Sequence, residues 1–577
     1  MSSSSSSLPS VSDISMAALE LPAKVALAAE AVQTGRTALR EHLSPLVAAF
    51  AEICAILALA FCTAVSLNVF RQIFTLRDPT KPPEVFHYVP FIGCAISYGM
   101  DPLGFFERSR QKYGPVFSFP LPGRNVVVAL GPTGSNFVLN SPHKSVNAED
   151  AYTDFTTPVF GSEVVYDCPH SIFMQQKKFV KVGLTPDNFR RYVPMIATEV
   201  DQYLSKKVFT NDTKLSASFD PISVAGEITV CTAAATLQGR EVRDALDETF
   251  AGLIHDLAAS SPRSYNFVFP YLPLPSYRRR DRAQNIMRKF YLSILKNRRA
   301  SNEEPPLDML SALQNQHYRD GTPLTDKQIA HTLIALLMGG QHTSAATGAW
   351  AMLRLAERPE LQESLYAEQV EVYGDGHGGL NPLDYETLQT PVLNSFIKEL
   401  LRIHPPLHSL FCIVVEDIAV PKDVGSPAAE PRQPVSFRKH NEFVQYEVKK
   451  GSYVLAAPGF TAVDEQFWGR DGKHFRPEPR RHGSTKSLQQ AEADGEQEDY
   501  GWGAISKGGK SPYLPFGAGR HRCIGEAFAQ TQIATLIATL VREVKLSLHL
   551  GIEFPENDFT TMIVSPKVPR NVTFTRR

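Results

Sequence analysis

One cysteine of the 577-residue chain lies in a glycine-rich loop, residues 516–525, directly before an alanine-rich helical run, residues 526–541. The positive end of that helix and the backbone N–H groups freed by the glycines would lower the pKa of the Cys523 thiol. Arg520 and Arg522 add positive charge to the same effect. A lone cysteine is more often buried and inert, but these neighbours favour a thiolate that acts as a metal ligand or a nucleophile.

A second stretch combines small and polar residues inside a long predicted helix that begins near Asp326. Gly339 and Gly340 stand mid-helix and are followed by His342 and Thr343. Each glycine costs about 1 kcal/mol relative to alanine in a helix interior, so we expect space to be needed beside this helix. A glycine pair that only lets two helices pack closely, with an incidental histidine, is the alternative.

The third candidate is the pair Glu399 and Arg402, whose spacing puts an acid and a base on one helical face. Such pairs also arise by composition alone, and most are solvated surface pairs that contribute less than about 1 kcal/mol. What distinguishes this pair is its position before the cysteine loop, with a further arginine, Arg480, between the two.

The cysteine loop resembles the haem-binding loop of the cytochrome P-450 superfamily, whose pattern is Phe-x-x-Gly-x-Arg/His-x-Cys-x-Gly. The matching residues are Phe516, Gly519, His521, Cys523 and Gly525. The resemblance implies that Cys523 is the axial thiolate of a haem iron and that His521 meets a haem propionate. A thiolate ligand pushes electron density onto the iron and favours O–O cleavage.

The acid–base pair fits the same resemblance. Glu399, Arg402 and Arg480 are similar to the superfamily's Glu-x-x-Arg plus Arg network behind the haem, where an aromatic residue usually follows and this chain has Arg481. Breaking a buried network of this kind would cost about 3–5 kcal/mol.

The glycine-containing helix corresponds to the one that crosses the distal haem face in this superfamily. Gly339 would make room for oxygen and substrate, and Thr343 would help to deliver protons. His342 replaces the acid that usually precedes the threonine, and residues 340–344 are similar to one branch, the sterol 14α-demethylases. The resemblance therefore implies that Thr343 and His342 carry protons.

Further stretches between residues 90 and 566 resemble the fungal members of that branch: residues 147–152, 156–161, 165–169, 176–179, 266–270, 407–411 and 511–515. By this resemblance Tyr152, Lys177 and Tyr166 contact the haem. A large apolar substrate prefers aromatic and aliphatic walls, although ordinary core aromatics would give a similar pattern. The implied sterol-channel residues are Tyr166, Thr156, Phe160, Gly339, His408, Ser409, Phe411 and Met562.

Two positions depart from the branch. Cys412 stands where an arginine usually meets a propionate, so one charge-assisted contact is missing. Residues 262–265 replace the usual Phe-Thr-Pro-Ile, which predicts an altered channel mouth. A diverged paralogue with a related substrate or a different azole response is therefore an open alternative.

The composition narrows the class of protein. With 59 basic and 60 acidic side chains, the chain gives no reason to expect a nucleic-acid-binding surface or an acidic tail. The seven cysteines lie far apart and include no CxxC pair, so neither a disulfide framework nor a cysteine zinc site is indicated. A reducing compartment fits best.

The N-terminal region predicts a membrane anchor. Residues 53–70 carry no formal charge, and 18 helical residues rise about 27 Å, just enough to cross a bilayer core. A buried soluble helix is the alternative, whereas a cleaved signal peptide would begin earlier. We expect a disordered or amphipathic tail over 1–42, a transmembrane anchor over 43–70, a proline-containing linker over 71–87 and one catalytic domain over 88–577.

The pattern within that domain is mainly α with small β-sheets, as the cytochrome P-450 fold requires. Helical periodicity is clearest over 326–358 and 386–403, and short strand-like runs occur over 116–130 and 447–456. Two polar stretches, residues 425–441 and 483–499, are predicted to be surface insertions.

The resemblance implies a membrane-anchored haem-thiolate monooxygenase that removes the 14α-methyl group of lanosterol or eburicol in three oxidations, in ergosterol-type sterol biosynthesis. It would use haem b, O2, and NADPH through NADPH–cytochrome P-450 reductase, on the endoplasmic reticulum membrane, with a single span and the catalytic domain facing the cytosol. Lys507, Lys510, Arg520 and Arg522 could meet an acidic reductase surface or form a solvated face. The alternatives are a hydroxylase of another lipid and a non-catalytic haem-binding or sterol-binding membrane protein.

Overall fold

The computed structural model describes residues 45–76, 78–209, 216–246, 248–258, 274–301, 304, 306–424, 445–477 and 511–577. The chain divides into two units, one comprising residues 1–76 and 86–90 and the other comprising residues 77–85 and 91–577. Several predictions fall outside the described residues: the tail 1–42, the substituted stretch 262–265, residues 266–270, both polar insertions, Arg480, Lys507 and Lys510.

The first unit contains a long apolar helix, α1, Pro45–Phe74. Its segment Ala49–Phe74 is the one stretch among the described residues that is long and apolar enough to cross a membrane. The helix continues four residues beyond the predicted end at Phe70. Asn68 and Gln72 donate side-chain hydrogen bonds to the carbonyl of His87 at 3.0 and 2.7 Å, so polar side chains begin to find partners at this end.

Helices dominate the second unit, which fits the expected fold class. In chain order they are α2 Ala95–Met100, α3 Pro102–Tyr113, α4 Gly131–Asn140, α5 Glu149–Phe160, α6 His170–Lys181, α7 Pro186–Tyr203, α8 Pro221–Ala233, α9 Arg240–Asp244, α10 Glu248–Ala258, α11 Pro275–Ala300, α12 Met309–Gln314, α13 Asp326–Glu357, α14 Pro359–Tyr373, α15 Pro391–Ile403, α16 Pro458–Thr461, α17 Glu465–Trp468 and α18 Glu526–Glu543. Short π-helical turns, Leu204–Val208 and Ala234–Gln238, extend α7 and α8.

The strands form small sheets, as predicted. They are β1 Val116–Leu121, β2 Arg124–Ala129, β3 Val146–Asn147, β4 Ser216–Phe219, β5 Leu410–Val414, β6 Ile418–Ala419, β7 Glu447–Val448, β8 Tyr453–Ala456, β9 Val544–Leu548, β10 Asn557–Asp558, β11 Ser565–Pro566 and β12 Val572–Arg576. The largest sheet has the order β1-β2-β8-β5-β3, a second has the order β4-β12-β9, and β6–β7 and β10–β11 are two-stranded. Gly123, at φ +69°, allows the tight turn between β1 and β2.

Helix α13 runs through the core of this unit. Its first turn is closed by a capping box in which the Thr325 side chain accepts from the Gln328 N–H and the Gln328 side chain accepts from the Thr325 N–H. It ends at Glu357, and Pro359 at once begins α14. Trp350 in its second half is fully buried within a cluster that also includes residues of α14, α15 and α18. Both ends are therefore fixed, which holds the mid-helix glycines in place.

Helix α15 begins five residues later than the sequence pattern predicted. Pro391 occupies its first turn, where the fixed φ of proline suits a helix start and its missing N–H is not needed. The apolar face of α15 is buried and includes Phe396 and Leu400. Because the same helix carries Glu399 and Arg402, its docking sets the position of that pair.

Candidate active site

The cysteine loop is held in a tight conformation by its glycines. Gly517 and Gly519 have φ values of +67° and +66°, which favour glycine. A methyl group at Gly519 would also lie 2.4 Å from the carbonyl oxygen of Leu139. The N–H of Cys523 donates to the carbonyl of Phe516 at 3.0 Å, and α18 begins three residues later. The loop therefore presents Cys523 from a closed, rigid turn.

The Cys523 side chain faces open space although protein surrounds it. It is exposed, yet burial among nearby atoms raises the pKa of its thiol, and the N–H of Gly525, Lys177 and Arg522 offset that effect only in part. The prediction that this loop lowers the pKa of the free thiol is therefore wrong, because desolvation of the thiolate outweighs the nearby positive charge. A coordinated metal ion would deprotonate the thiol through its own charge.

The basic residues around the loop are engaged with protein atoms. Lys177 donates to the carbonyls of Arg520 and Arg522, both at 2.9 Å. Arg522 forms a bidentate ion pair with Glu526, and Arg520 donates to the carbonyl of Ser141 at 2.6 Å. These cations brace the loop from both sides. Lys177 therefore contacts the loop that carries the cysteine, and its contact with the cofactor stays a prediction.

Aromatic rings stack beside His521. The rings of Tyr152 and Tyr166 lie 5.3 Å apart, and the ring of Phe173 stacks on His521 at 5.5 Å. The Tyr152 hydroxyl accepts a hydrogen bond from the N–H of Phe411 at 2.9 Å. Five predicted site residues from distant parts of the sequence, Tyr152, Tyr166, Phe411, His521 and Lys177, thus gather around the loop.

Glu149 is a buried member of this region, and the sequence analysis assigned it no role. Its carboxylate lies 3.6 Å from Nε2 of His521 and accepts from Nδ1 of His170 at 2.7 Å. Burial opposes its ionisation, but the His170 hydrogen bond and the charge of His521 lower its pKa. Burial also lowers the pKa of His521, which Glu149 offsets. Its place in the stretch 147–150 was the only available signal.

Helix α13 supplies a wall of small residues. Methyl groups added at Gly339 or Gly340 would meet no atom within 4 Å, which confirms the space expected beside them. The Thr343 hydroxyl donates to the carbonyl of Gly339 at 3.0 Å, so its lone pairs are left as acceptors. Nε2 of His342 is buried without a hydrogen-bond partner in the described part of the chain, and burial lowers the pKa of His342. Its imidazole is therefore neutral at pH 7.

A small apolar cavity adjoins both the threonine and the cysteine loop. Its walls include Thr343 and Thr347 of α13, Leu401 of α15, Phe516 of the loop and Ala529 of α18. The two motifs that lie about 180 residues apart in the sequence therefore share one cavity. Its exposed lining is almost entirely apolar, which suits contact with part of a hydrophobic group.

The pair Glu399 and Arg402 is fully buried and tightly satisfied. Both side chains are 0% exposed, and two parallel hydrogen bonds of 2.8 Å join them. Arg402 also donates to the carbonyls of Ala462, Gly472 and His474 at 2.7, 2.5 and 3.0 Å. This arrangement is a buried network rather than a surface pair, as the sequence position suggested.

The residues predicted to line a substrate channel differ in how deeply they are buried. The imidazole of His408 shares a hydrogen bond of 2.8 Å with the Ser409 hydroxyl and contacts the rings of Tyr98 and Phe559. Burial lowers the pKa of His408 to about 4. Phe411 follows on β5. Thr156 is buried and donates to the carbonyl of Tyr152. Phe160 and Met562 are half-buried, and Phe160 packs against the buried cluster that includes residues of α13.

Cys412 brings a neutral group to the position where an arginine was expected. It is buried on β5 opposite Val454 of β8, and burial raises the pKa of its thiol to about 12, with Glu149 adding to the effect. At this position the site therefore has a neutral thiol instead of the positive charge of an arginine, as the sequence predicted.

The residues present fit a haem group. The sulfur of Cys523 is exposed, α13 leaves room over Gly339 and Gly340, and the cavity lined by Thr343 and Phe516 is apolar. The buried Nδ1 of His521 and Nε of Arg520 have no hydrogen-bond partners among the described residues. A flat apolar group with a central metal ion and a carboxylate edge would satisfy the sulfur and these donors together.

Comparisons with known proteins agree with this geometry. The family model Cytochrome P450 matches residues 83–424 and 427–574. The chain is similar to a lanosterol 14-alpha demethylase of Mycosarcoma maydis, with 48% identity over 91% of this chain and 93% of the relative, and to one of Schizosaccharomyces pombe, with 42% identity over 92% and 100%. A solved structure of a retinoic acid-bound cyanobacterial CYP120A1 shares the fold, with a TM-score of 0.67, 19% identity, and coverage of 87% of this chain and 100% of that chain.

Proposed function

The chain belongs to the cytochrome P450 family, and on that premise we propose that it is a membrane-anchored sterol 14α-demethylase acting on lanosterol or eburicol. The observation that carries the proposal is one apolar cavity lined both by Thr343 of α13 and by Phe516 of the loop that carries Cys523. Relatives with 42–48% identity over about nine-tenths of the chain, named lanosterol 14-alpha demethylases, support the substrate class.

Cys523 would bind the haem iron and His521 a propionate, while Tyr152, Tyr166 and Phe173 pack along the polar edge. Bound haem supplies activation of O2 for C–H oxidation, and its thiolate ligand favours O–O cleavage. The overall conversion takes the 14α-methyl group through alcohol and aldehyde to formate, with one O2 and two electrons from NADPH used in each of three rounds. An NADPH–cytochrome P450 reductase would deliver the electrons, on the cytosolic face of the endoplasmic reticulum.

The chain's own residues position the substrate and its protons. Apolar walls exclude water, and the open space over Gly339 admits the reacting methyl group. The Thr343 hydroxyl can accept a hydrogen bond from a proton donor while it donates to the carbonyl of Gly339. Burial lowers the pKa of His342, one residue before it, so its imidazole is neutral, with one nitrogen that can donate a proton and one that can accept it. We assign proton delivery at the reacting site to these two side chains.

Sterol titration into the ferric haem-loaded protein tests the substrate class. Lanosterol and eburicol should produce a spin-state shift of the haem spectrum, because a sterol bound beside the haem would change the surroundings of its iron. A fatty acid of similar apolar area is the comparison ligand. A shift with the fatty acid but none with 14α-methyl sterols would favour the lipid-hydroxylase alternative, which the neutral Cys412 motivates. Absence of NADPH-dependent turnover with a reductase would favour the non-catalytic alternative.

Thr343→Ala should uncouple oxygen consumption from sterol oxidation. Positioned proton transfer contributes about 10²–10⁴-fold to a rate, so we expect sterol product to fall by about 10²-fold while NADPH oxidation continues. The measurement is the ratio of product to NADPH consumed in the reconstituted system.

The matched control for that variant is Thr332→Ala, a buried threonine of the same helix that does not line the cavity. The control should keep the wild-type ratio. An unchanged ratio in Thr343→Ala would remove this residue from proton delivery.

A further inference from the structure

Three side chains with metal-binding atoms converge beside the cysteine loop. His143 lies in the segment before β3, Glu149 begins α5 and His170 begins α6. One donor atom from each lies within 4.8 Å of the other two. The cluster draws on three separate segments of the chain, so the fold and not local sequence brings it together.

The imidazoles of His143 and His170 both lie near the carboxylate of Glu149. Nδ1 of His170 lies 2.7 Å from Oε1 of Glu149, and Nδ1 of His143 lies 3.8 Å from Oε2. The histidine rings are stacked, with centroids 4.1 Å apart and an interplanar angle of 18°. Without a metal ion, the Nδ1–H of His170 donates to the carboxylate; with an ion bound to both Nδ1 atoms, the proton of each neutral imidazole would be on Nε2.

A second observation points to a missing positive partner. The Glu149 side chain is only 5% exposed, and neither its Oε2 nor Nδ1 of His143 has a hydrogen-bond partner among the described residues. A buried carboxylate oxygen without a partner is costly. His143 and His170 are 36% and 20% exposed, so a small ion could reach the carboxylate from solvent.

We propose that His143, Glu149 and His170 form a binding site for a divalent transition-metal ion, with Zn2+ as the best-matched occupant. Two imidazoles, one carboxylate and a water molecule are an established tetrahedral zinc ligand set. Bonds of about 2.0–2.2 Å place tetrahedral ligand atoms about 3.3–3.5 Å apart, inside the 2.7–4.8 Å range found here. Burial lowers the pKa of His143, which keeps this imidazole neutral and able to bind.

This site is separate from the haem-binding cysteine and does not depend on the proposed function. A bound ion would join the segment before β3 to the starts of α5 and α6. Because Glu149 also lies 3.6 Å from His521, the ion would sit directly behind the residue assigned to a propionate. It would therefore stabilise the wall that supports the haem loop.

Metal uptake by the full-length, haem-loaded protein tests the proposal. After equilibrium dialysis against buffered Zn2+, we expect about one zinc per haem iron by elemental analysis. Zinc-edge X-ray absorption should show only nitrogen and oxygen ligands with imidazole scattering. In His143→Ala/His170→Ala the zinc affinity should fall by more than about tenfold, since even indirect changes at metal sites cost that much. Asp150→Asn and His317→Ala, both at exposed positions, should keep it.

The single variant His143→Ala guards against misfolding of the double variant, since His143 is the most exposed of the three. Haem content of each variant verifies folding. Zinc binding that is equally tight in wild type and His143→Ala, sulfur in the first shell, or no stoichiometric uptake by the wild type would each overturn the proposal.

Discussion

Cys523→Ala should abolish sterol demethylation and remove the thiolate-type Soret band of the reduced, carbon-monoxide-bound protein. The loop carries one sulfur, and the Cys523 side chain is exposed and is not packed in the core. The fold stability of the haem-free protein should therefore change by no more than about 0.5 kcal/mol, as for substitutions away from packed features. At this position, loss of catalysis can therefore be measured separately from loss of fold stability. The measurements are the difference spectrum, sterol turnover and far-ultraviolet circular dichroism of the same preparation.

Cys168→Ala is the matched control. Cys168 is half-buried in the segment before α6, where its thiol contacts the carbonyl of Val165 at 3.3 Å. This variant should keep the thiolate-type band and turnover. A band that survives in Cys523→Ala, or one that is lost in both variants, would mean that Cys523 is not the iron ligand.

Local motifs let the sequence predict the parts of the site that lie on single elements. Gly339 and Thr343 were placed on one helix, and the structure confirms open space and a shared cavity there. Glu399 and Arg402 were placed on one helical face, and they are a buried bidentate pair. In each case a 3.6-residue period is sufficient to fix the geometry.

The sequence pattern does not predict contacts between distant segments of the chain. Nothing in the spacing of His143, Glu149 and His170 indicates that three segments bring them within 4.8 Å. The sequence likewise does not show that the ammonium group of Lys177 donates to two loop carbonyls. The direction of the Cys523 pKa shift was also wrong, because desolvation depends on how much protein surrounds the sulfur. Burial is a property of the packed fold and has no local signature.

The later start of α15 has the same origin. Periodicity alone extended the helix back to residue 386, whereas Pro391 begins it. Leu388 and Thr390 are nevertheless buried, so the apolar pattern that continued upstream reflects packing of a loop and not a further helical turn. The Thr390 hydroxyl donates to the buried carboxylate of Glu368 at 2.6 Å, which ties that loop down.

Arg402→Ala should destabilise the second unit by about 3–5 kcal/mol, because it removes the cation that forms the ion pair with the buried Glu399 carboxylate. The loss has two parts: the bidentate ion pair and the hydrogen bonds that the guanidinium donates to the carbonyls of Ala462, Gly472 and His474. Those carbonyls belong to the stretch before residue 477, so α15 should detach from that stretch. We expect little haem-loaded protein and a lowered denaturation midpoint in urea. Arg402→Lys keeps the charge but not the planar fork, and should recover only part of the loss.

The control is Arg108→Ala, which removes the same side chain from an exposed ion pair. Arg108 and Asp101 are 63% and 51% exposed and lie 3.2 Å apart, so this change should cost no more than about 1 kcal/mol. Equal destabilisation by the two variants would show that the guanidinium of Arg402 has no special role in the buried network. Full stability of Arg402→Lys would instead assign the effect to charge alone, since a lysine cannot donate simultaneously along the two arms of the Glu399 carboxylate and to three carbonyls.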